Sequence, residues 1–252
     1  MAVREDYIAV FDSGLGGISV LRHLRRVLPG ERFLYFGDSA NAPYGTRTTQ
    51  PVRELTVAAA EQLLSRGVKA LVVACNTATA AAIKQLRSAY PDLIVVGIEP
   101  ALKLAADSFP GGNLGVLATE VTLREEKFDI LAHRFDTQCT VTRIPAPGLV
   151  ELIENGKADS EETENLLRLL LSPYVGKLDA LVLGFTHYPF VTRNIASIMG
   201  PKTQLLHGGK GTARETKRRL EAAGLLRQGE GSVEIISSAS NPKMIRLSQA
   251  ML

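Results

Sequence analysis

The sequence predicts an α/β protein with mainly parallel sheets and helices between successive strands. Three observations predict it. Short apolar, β-branched runs recur through the 252 residues, and most are continuous rather than alternating, the pattern of strands buried on both faces. Segments of helical periodicity lie between many of them, which implies right-handed βαβ units. Several runs end in Asp, Cys, Thr or His, at the carboxyl ends of strands where open α/β folds take their ligands.

Taken in order, the strands are expected at Ile8–Phe11, Arg32–Phe36, Ala70–Ala74, Ile94–Ile98, Leu114–Ala118, Thr140–Ile144, Ala180–Gly184, Thr203–His207 and Val233–Ser237. The first helix is expected over Ile18–Val27, where Ile18, Val20, Leu21, Leu24 and Val27 recur near the 3.6-residue period. Pro51–Arg66, Thr77–Ala89 and Ser160–Leu171 read as helices in the same way. The basic residues of Lys210–Arg219 read as a solvated helix face. The best breaks lie at Gly97–Pro100 and near Pro201. They divide the chain into a first α/β domain, 1–98 plus 206–252, and a second, 99–205.

Composition excludes several classes. The chain is 45% hydrophobic and 22% charged with a net charge of +3, an ordinary globular balance with no pull toward nucleic acid. No apolar run approaches the roughly 18–20 residues of a membrane span. The first residues carry charge of both signs and lack the pattern of a secretory signal, so a cytoplasmic location is expected. Two cysteines, Cys75 and Cys139, are too few for a disulfide framework, and the four histidines show no zinc spacing. Metal, nucleotide and pyridoxal cofactors have no support.

Four segments carry possible chemistry. Asp12-Ser13-Gly14-Leu15-Gly16-Gly17 puts an acid, a hydroxyl and flexible glycines between a strand and a helix. It suits either an anion site or a helix cap, and it lacks the dinucleotide GxGxxG spacing. Asp38 to Thr46, with Pro43-Tyr44-Gly45 inside it, is a loop that could hold a carboxylate on its backbone or be only a loop. Cys75-Asn76-Thr77 follows a buried strand and opens a helix, where the dipole favours a thiolate; the alternative is a small buried hydrophobe. Phe185-Thr186-His187 ends another strand and echoes Cys75-Asn76-Thr77, which suggests two similar halves across a cleft. Cys139 reads as structural, in a Thr-rich strand without a polar neighbour. Gly208-Gly209-Lys210-Gly211-Thr212 lacks phosphate-loop spacing.

Together Asp12–Gly17, Pro43-Tyr44-Gly45, Ala74-Cys75-Asn76-Thr77 and Thr186-His187-Tyr188-Pro189 resemble the glutamate racemase family of the aspartate/glutamate racemase superfamily, with Pro147–Glu154 as a further similar segment. The resemblance implies two pseudo-symmetric three-layer α/β domains with a cofactor-free active site in the inter-domain cleft. It implies interconversion of L- and D-glutamate by α-proton abstraction, one cysteine serving each face, with D-glutamate supplied to peptidoglycan. Cys75 matches the first cysteine, which serves the D-enantiomer. Asp12 and His187 match groups that assist the thiols, and Glu154 matches a supporting carboxylate. Asp12, Ser13, Pro43, Tyr44, Gly45, Asn76, Thr77, Thr119, Thr186 and His187 match substrate-binding positions. A homodimer is implied as well.

The chain departs from the family at one place of consequence. Phe185 stands where the family has its second catalytic cysteine. Phenylalanine carries no transferable proton and is larger, so racemisation is expected to be reduced or lost; losing a positioned acid or base costs about 10²–10⁴-fold. Smaller departures are Ala118, where a glycine is usual, and His207-Gly208, where an acidic residue is. A one-cysteine decarboxylase or lyase of the same superfamily, or a non-catalytic amino-acid-binding protein, stays open beside the racemase.

Overall fold

The computed structural model describes residues 6–99, 101–124, 126–239 and 242–252, without the side chains of Lys127 and Lys243. Pro100, in one of the expected breaks, lies outside them. The elements run β1 (Tyr7–Asp12), α1 (Ile18–Val27), β2 (Arg32–Gly37), α2 (Thr49–Leu64), β3 (Val68–Val73), α3 (Asn76–Ala89), β4 (Ile94–Gly97), α4 (Ala101–Ser108), β5 (Asn113–Ala118), α5 (Glu120–Arg124) and α6 (Glu126–His133). They continue with β6 (Thr140–Pro145), α7 (Leu149–Glu154), α8 (Glu161–Leu171), β7 (Ala180–Leu183), α9 (Thr192–Met199), β8 (Gln204–Leu206), α10 (Gly209–Ala222), β9 (Ser232–Ser237) and α11 (Pro242–Ala250). Every expected strand is present. Among the described residues no helix is long and apolar enough to cross a membrane.

The chain forms two compact units, 1–99 with 208–252 and 100–207. In the first, five parallel strands lie in the order β4-β3-β1-β2-β9. All six residues of β1 are buried. Phe11, Phe36 and Val73 meet Val52, Leu63, Ala78 and Leu86 in one apolar layer against α2 and α3, while α1 and α10 pack on each other. In the second unit four parallel strands follow the order β6-β5-β7-β8. Leu114, Val116, Val182 and Phe128 belong to its core.

The two sheets repeat one topology. In each, the first strand is flanked by the second on one side and the third on the other, with the fourth beyond the third. The chain therefore reverses direction between β1 and β3, and again between β5 and β7. At such reversals successive connections leave on opposite faces, and a crevice opens beyond the carboxyl ends of the two strands.

One buried ion pair ties the amino ends of the first sheet. Lys69 Nζ lies 2.7 Å from Glu31 Oε2, with both side chains almost wholly enclosed. Lys69 also donates to the Leu225 carbonyl, and Glu31 Oε1 accepts the Arg227 N–H at 2.8 Å. Such a pair is costly to break from one side, because the remaining charge is stranded. Lys69→Met is expected to lower the unfolding free energy by about 3–5 kcal/mol in a urea titration. Adding Glu31→Gln, which removes the stranded charge, should restore at least half of that loss.

Candidate active site

The strand ends at the two reversals carry the residues that the sequence singles out. In the first unit Asp12 closes β1. The loop after it is neither of the simple forms the sequence allowed. No side chain caps α1, whose cap position is Gly17. Instead Asp12 Oδ1 accepts the Gly14 N–H at 2.8 Å, a turn in which the carboxylate mimics a backbone acceptor. Tyr35, on β2, donates its hydroxyl to the Gly14 carbonyl at 2.6 Å and fixes the loop from below. Close approach demands glycine here: a Cβ on Gly37 would stand 2.5 Å from the Gly14 oxygen, and one on Gly17 would stand 2.6 Å from Asp12 Cβ.

Cys75 follows β3 and is the N-cap of α3. Its Sγ accepts the Ala78 N–H at 3.5 Å and lies 3.5 Å from Ser13 Oγ. The thiol thus sits at a helix N-terminus, as its place in the sequence suggests. The expected gain in acidity does not follow. Burial, and then the negative charge of Asp12, push the thiol up to about 11, outweighing the hydrogen bonds from Ser13 and Ala78 that favour the thiolate. Helix-end effects are worth about 0.3–1 kcal/mol at exposed sites, less than the cost of stripping water from an anion. The same burial, with Asp12 and Cys75 adding to it, raises Tyr35 well above the usual phenol range.

The Asp38–Thr46 loop has internal order. Tyr44 is buried and donates its hydroxyl to Asp38 Oδ2 at 2.6 Å, and Asn41 Nδ2 donates to both Asp38 oxygens. Its ring packs 6.3 Å from that of Phe11. The Asp38 N–H donates to the Asp12 carbonyl at 2.9 Å, so this loop is tied to the end of β1. Pro43 is exposed and Gly45 half-buried, as is Thr77, whereas Asn76 is exposed.

The second unit builds its cluster on the end of β7 and on α7. His187 is buried, and its Nε2 lies 3.0 Å from Glu154 Oε1. Glu154 ends α7, whose start at Gly148 needs the left-handed backbone (φ +79°) found there. The Phe185 ring stacks on the His187 imidazole with centroids 5.0 Å apart and planes 16° from parallel, and it meets Tyr188 at 5.7 Å. Thr186 is buried. Thr119, at the end of β5, accepts the Thr122 N–H at 3.2 Å and shares a 2.8 Å hydroxyl contact with Thr122, so it caps α5. Cys139 precedes β6 rather than lying in it, and its thiol points at the Phe135 carbonyl at 3.7 Å.

Within the first unit, then, Asp12, Ser13 and Cys75 come together, with Tyr44 held by the neighbouring loop. Within the second, Phe185, His187 and Glu154 come together. Sequence reasoning missed Tyr35 and Asp38 as organisers. Tyr35 sits inside a continuous apolar run, where a hydroxyl gives no separate signal. Among the described residues no group of His, Cys, Asp and Glu is arranged to hold a metal ion.

A family model described as Asp/Glu/Hydantoin racemase matches residues 16–216. The chain is 44% identical to a glutamate racemase of Clostridium perfringens over 248 residues, 97% of this chain and 95% of that one. It is similar in structure to the glutamate racemase of Thermus thermophilus in complex with β-chloro-D-alanine (TM-score 0.81, 36% identity, 98% and 93% coverage). It is likewise similar to that of Francisella tularensis in complex with D-glutamate (TM-score 0.82, 27% identity, 99% and 94% coverage).

The raised thiol has a direct readout. In a Cys139→Ser background, alkylation of Cys75 by iodoacetamide is expected to rise about tenfold per pH unit toward pH 11, as the thiolate fraction grows. Asp12→Asn keeps the acceptor for Gly14 but removes the charge. It should bring the thiol pKa down toward its ordinary value and raise alkylation at pH 8 by about tenfold.

Proposed function

The chain belongs to the Asp/Glu/hydantoin racemase family, and from that premise we propose that its substrate is glutamate and its reaction cofactor-independent proton transfer at the α-carbon. The observation that carries this reading is the Cys75 thiol, held at the head of α3 against Ser13 and beside Asp12.

The α-proton of glutamate is a very weak acid, so its removal needs a strong base and a place for the resulting charge. A thiolate whose conjugate acid titrates near 11 is such a base, and Asp12 and Ser13 border it. In the step proposed, the Cys75 thiolate takes the α-proton, and the electron pair passes into the enolate of the substrate carboxylate. The thiol exchanges its proton with solvent and returns one to the same face. Asp12, Ser13, Pro43, Tyr44, Gly45, Asn76 and Thr77 of the first unit are proposed to bind the substrate, as are Thr119, Thr186 and His187 of the second. His187 and its partner Glu154 stand where the family assists its second thiol.

Phe185 sets the limit of this chemistry. The second proton carrier of the family is replaced by a ring, so exchange without inversion is the proposed outcome. D-glutamate is the enantiomer assigned to Cys75. A cytoplasmic homodimer that supplied D-glutamate to cell-wall synthesis in its two-cysteine form completes the reading. The same Phe185 favours, as a second reading, one-thiol decarboxylation of malonate-type acids.

Proton NMR of each enantiomer in D₂O tests the proposal. D-glutamate should lose its Cα–H signal with its chirality retained, L-glutamate should exchange at least about 10²-fold more slowly, and Cys75→Ser should abolish exchange. The rate should rise with pH toward the thiol pKa. Phe185→Cys should convert exchange into racemisation. If neither the chain nor Phe185→Cys exchanges either enantiomer, the reading falls; CO₂ release from malonates would establish the second reading in its place.

A further inference from the structure

The amino ends of β2 and β9 border a cavity of about 310 Å³ in the first unit, lined by Arg22, Arg25, Arg26, Pro29, Ser232 and Leu252 among others. Arg32 and Ser232 are the first paired residues of these two strands, whereas Asp12 ends β1 and Asp38 follows β2 at the opposite, carboxyl end of the sheet. The six-residue strands separate the two ends by about 20 Å.

Arg22, Arg25 and Arg26 are spaced i, i+3 and i+4 on α1, which places their guanidinium groups on one helix face. All three are exposed, and none makes a hydrogen bond or ion pair among the described residues. That contrasts with several other arginines of this unit. Arg218 and Arg219 share Glu215, and Arg66 holds Glu234. Like charges at this spacing repel; the carboxyl end of α1, whose last turn holds Arg25 and Arg26, offsets part of that repulsion, but among the described residues no side-chain carboxylate pairs with them. Glu31, the one lining residue with a carboxylate side chain, is already taken by Lys69 and by the Arg227 N–H, so it does not neutralise the three arginines.

We propose that this cavity binds a small phosphorylated metabolite through its phosphoryl oxygens. Guanidinium forks match phosphate oxygens two at a time, and three of them suit a group carrying two or more negative charges. The volume lies at the lower end of the range for small-molecule sites, about 300–1,000 Å³, which fits a compact ligand. A ligand there lies beyond the opposite end of the sheet from Cys75, so it leaves the substrate's place unfilled.

Isothermal titration calorimetry of the full chain with inorganic pyrophosphate tests this. One site per chain is expected, with affinity falling as sodium chloride rises. The triple variant Arg22→Gln/Arg25→Gln/Arg26→Gln should bind at least about tenfold more weakly, the equivalent of losing one charge-assisted contact. Arg218→Gln, at a paired arginine elsewhere, should bind as the parent does. The substitutions are exposed, and thermal melting of the triple variant should match or exceed that of the parent. In the unaltered chain, the side-chain Nε–H resonances of these three arginines should be the ones that shift on titration. Absence of binding, binding that the triple variant keeps within twofold, or shifts confined to other arginines would overturn the proposal. Tighter binding of a short DNA duplex than of pyrophosphate, at equal salt, would overturn its small-molecule assignment.

Discussion

Parallel pairing of β1 between β2 and β3 places the ends of β1 and β3 side by side while their connections leave on opposite faces. Everything in the first cluster depends on that adjacency. Asp12 and Cys75 belong to different βαβ units, yet β1 and β3 bring them together because they end in register: Phe11 pairs with Val73, and the Ala74 N–H donates to the Phe11 carbonyl at 2.7 Å. The glycines of the Asp12–Gly17 loop and Gly37 let the chain pass within contact distance of this point. Tyr35, rising from β2, then locks it with a single hydrogen bond.

Adjacency has an electrostatic consequence. Two groups that both become anionic are buried in one place, and each resists the charge of the other. The helix N-terminus under Cys75 opposes this but does not win, because the thiol is buried and Asp12 sits beside it. The resting form of Cys75 is therefore a protonated thiol beside Asp12. Such a thiol is a poor nucleophile toward passing electrophiles and a strong base once ionised. That combination suits proton transfer at carbon better than covalent catalysis, since a base of high pKa is matched to a very weak carbon acid.

Much of the fold was legible because strands buried on both faces must read as continuous apolar runs; β1, with all six residues enclosed, is the clearest case. The helices that the sequence did not announce, α5, α6, α7, α9 and α11, have five to nine residues. Fewer than three turns give a period of 3.6 too few repeats to stand out. In the site, residue types at strand ends located Asp12, Cys75, Phe185 and His187. The family resemblance named Glu154 and Asp12 as supporting groups, but the linear pattern alone did not show which residue each partner meets. Glu154 reaches His187 from another helix, Asp38 takes the Tyr44 hydroxyl from six residues away, and the acidity of Cys75 depends on a neighbour 63 positions distant in the chain. Contacts of that kind are set by tertiary packing, and a linear pattern does not encode them.

The second unit shows what the same topology does with different chemistry at its strand end. There β7 delivers Phe185 where β3 delivers Cys75. The ring lies flat on His187 and against Tyr188, so its surface is spent on aromatic packing. His187 keeps its carboxylate, Glu154, at hydrogen-bonding distance. A histidine so held has a fixed ring and one nitrogen committed to its partner. What this end lacks is a side chain that can both take and give a proton at the position Cys75 occupies in the first unit. The two sheets therefore present equivalent scaffolds with unequal reactivity: one ends in an ionisable thiol, the other in a stacked hydrocarbon. In the chemistry proposed above, that single side chain leaves this protein with one ionisable thiol where the family resemblance implies two.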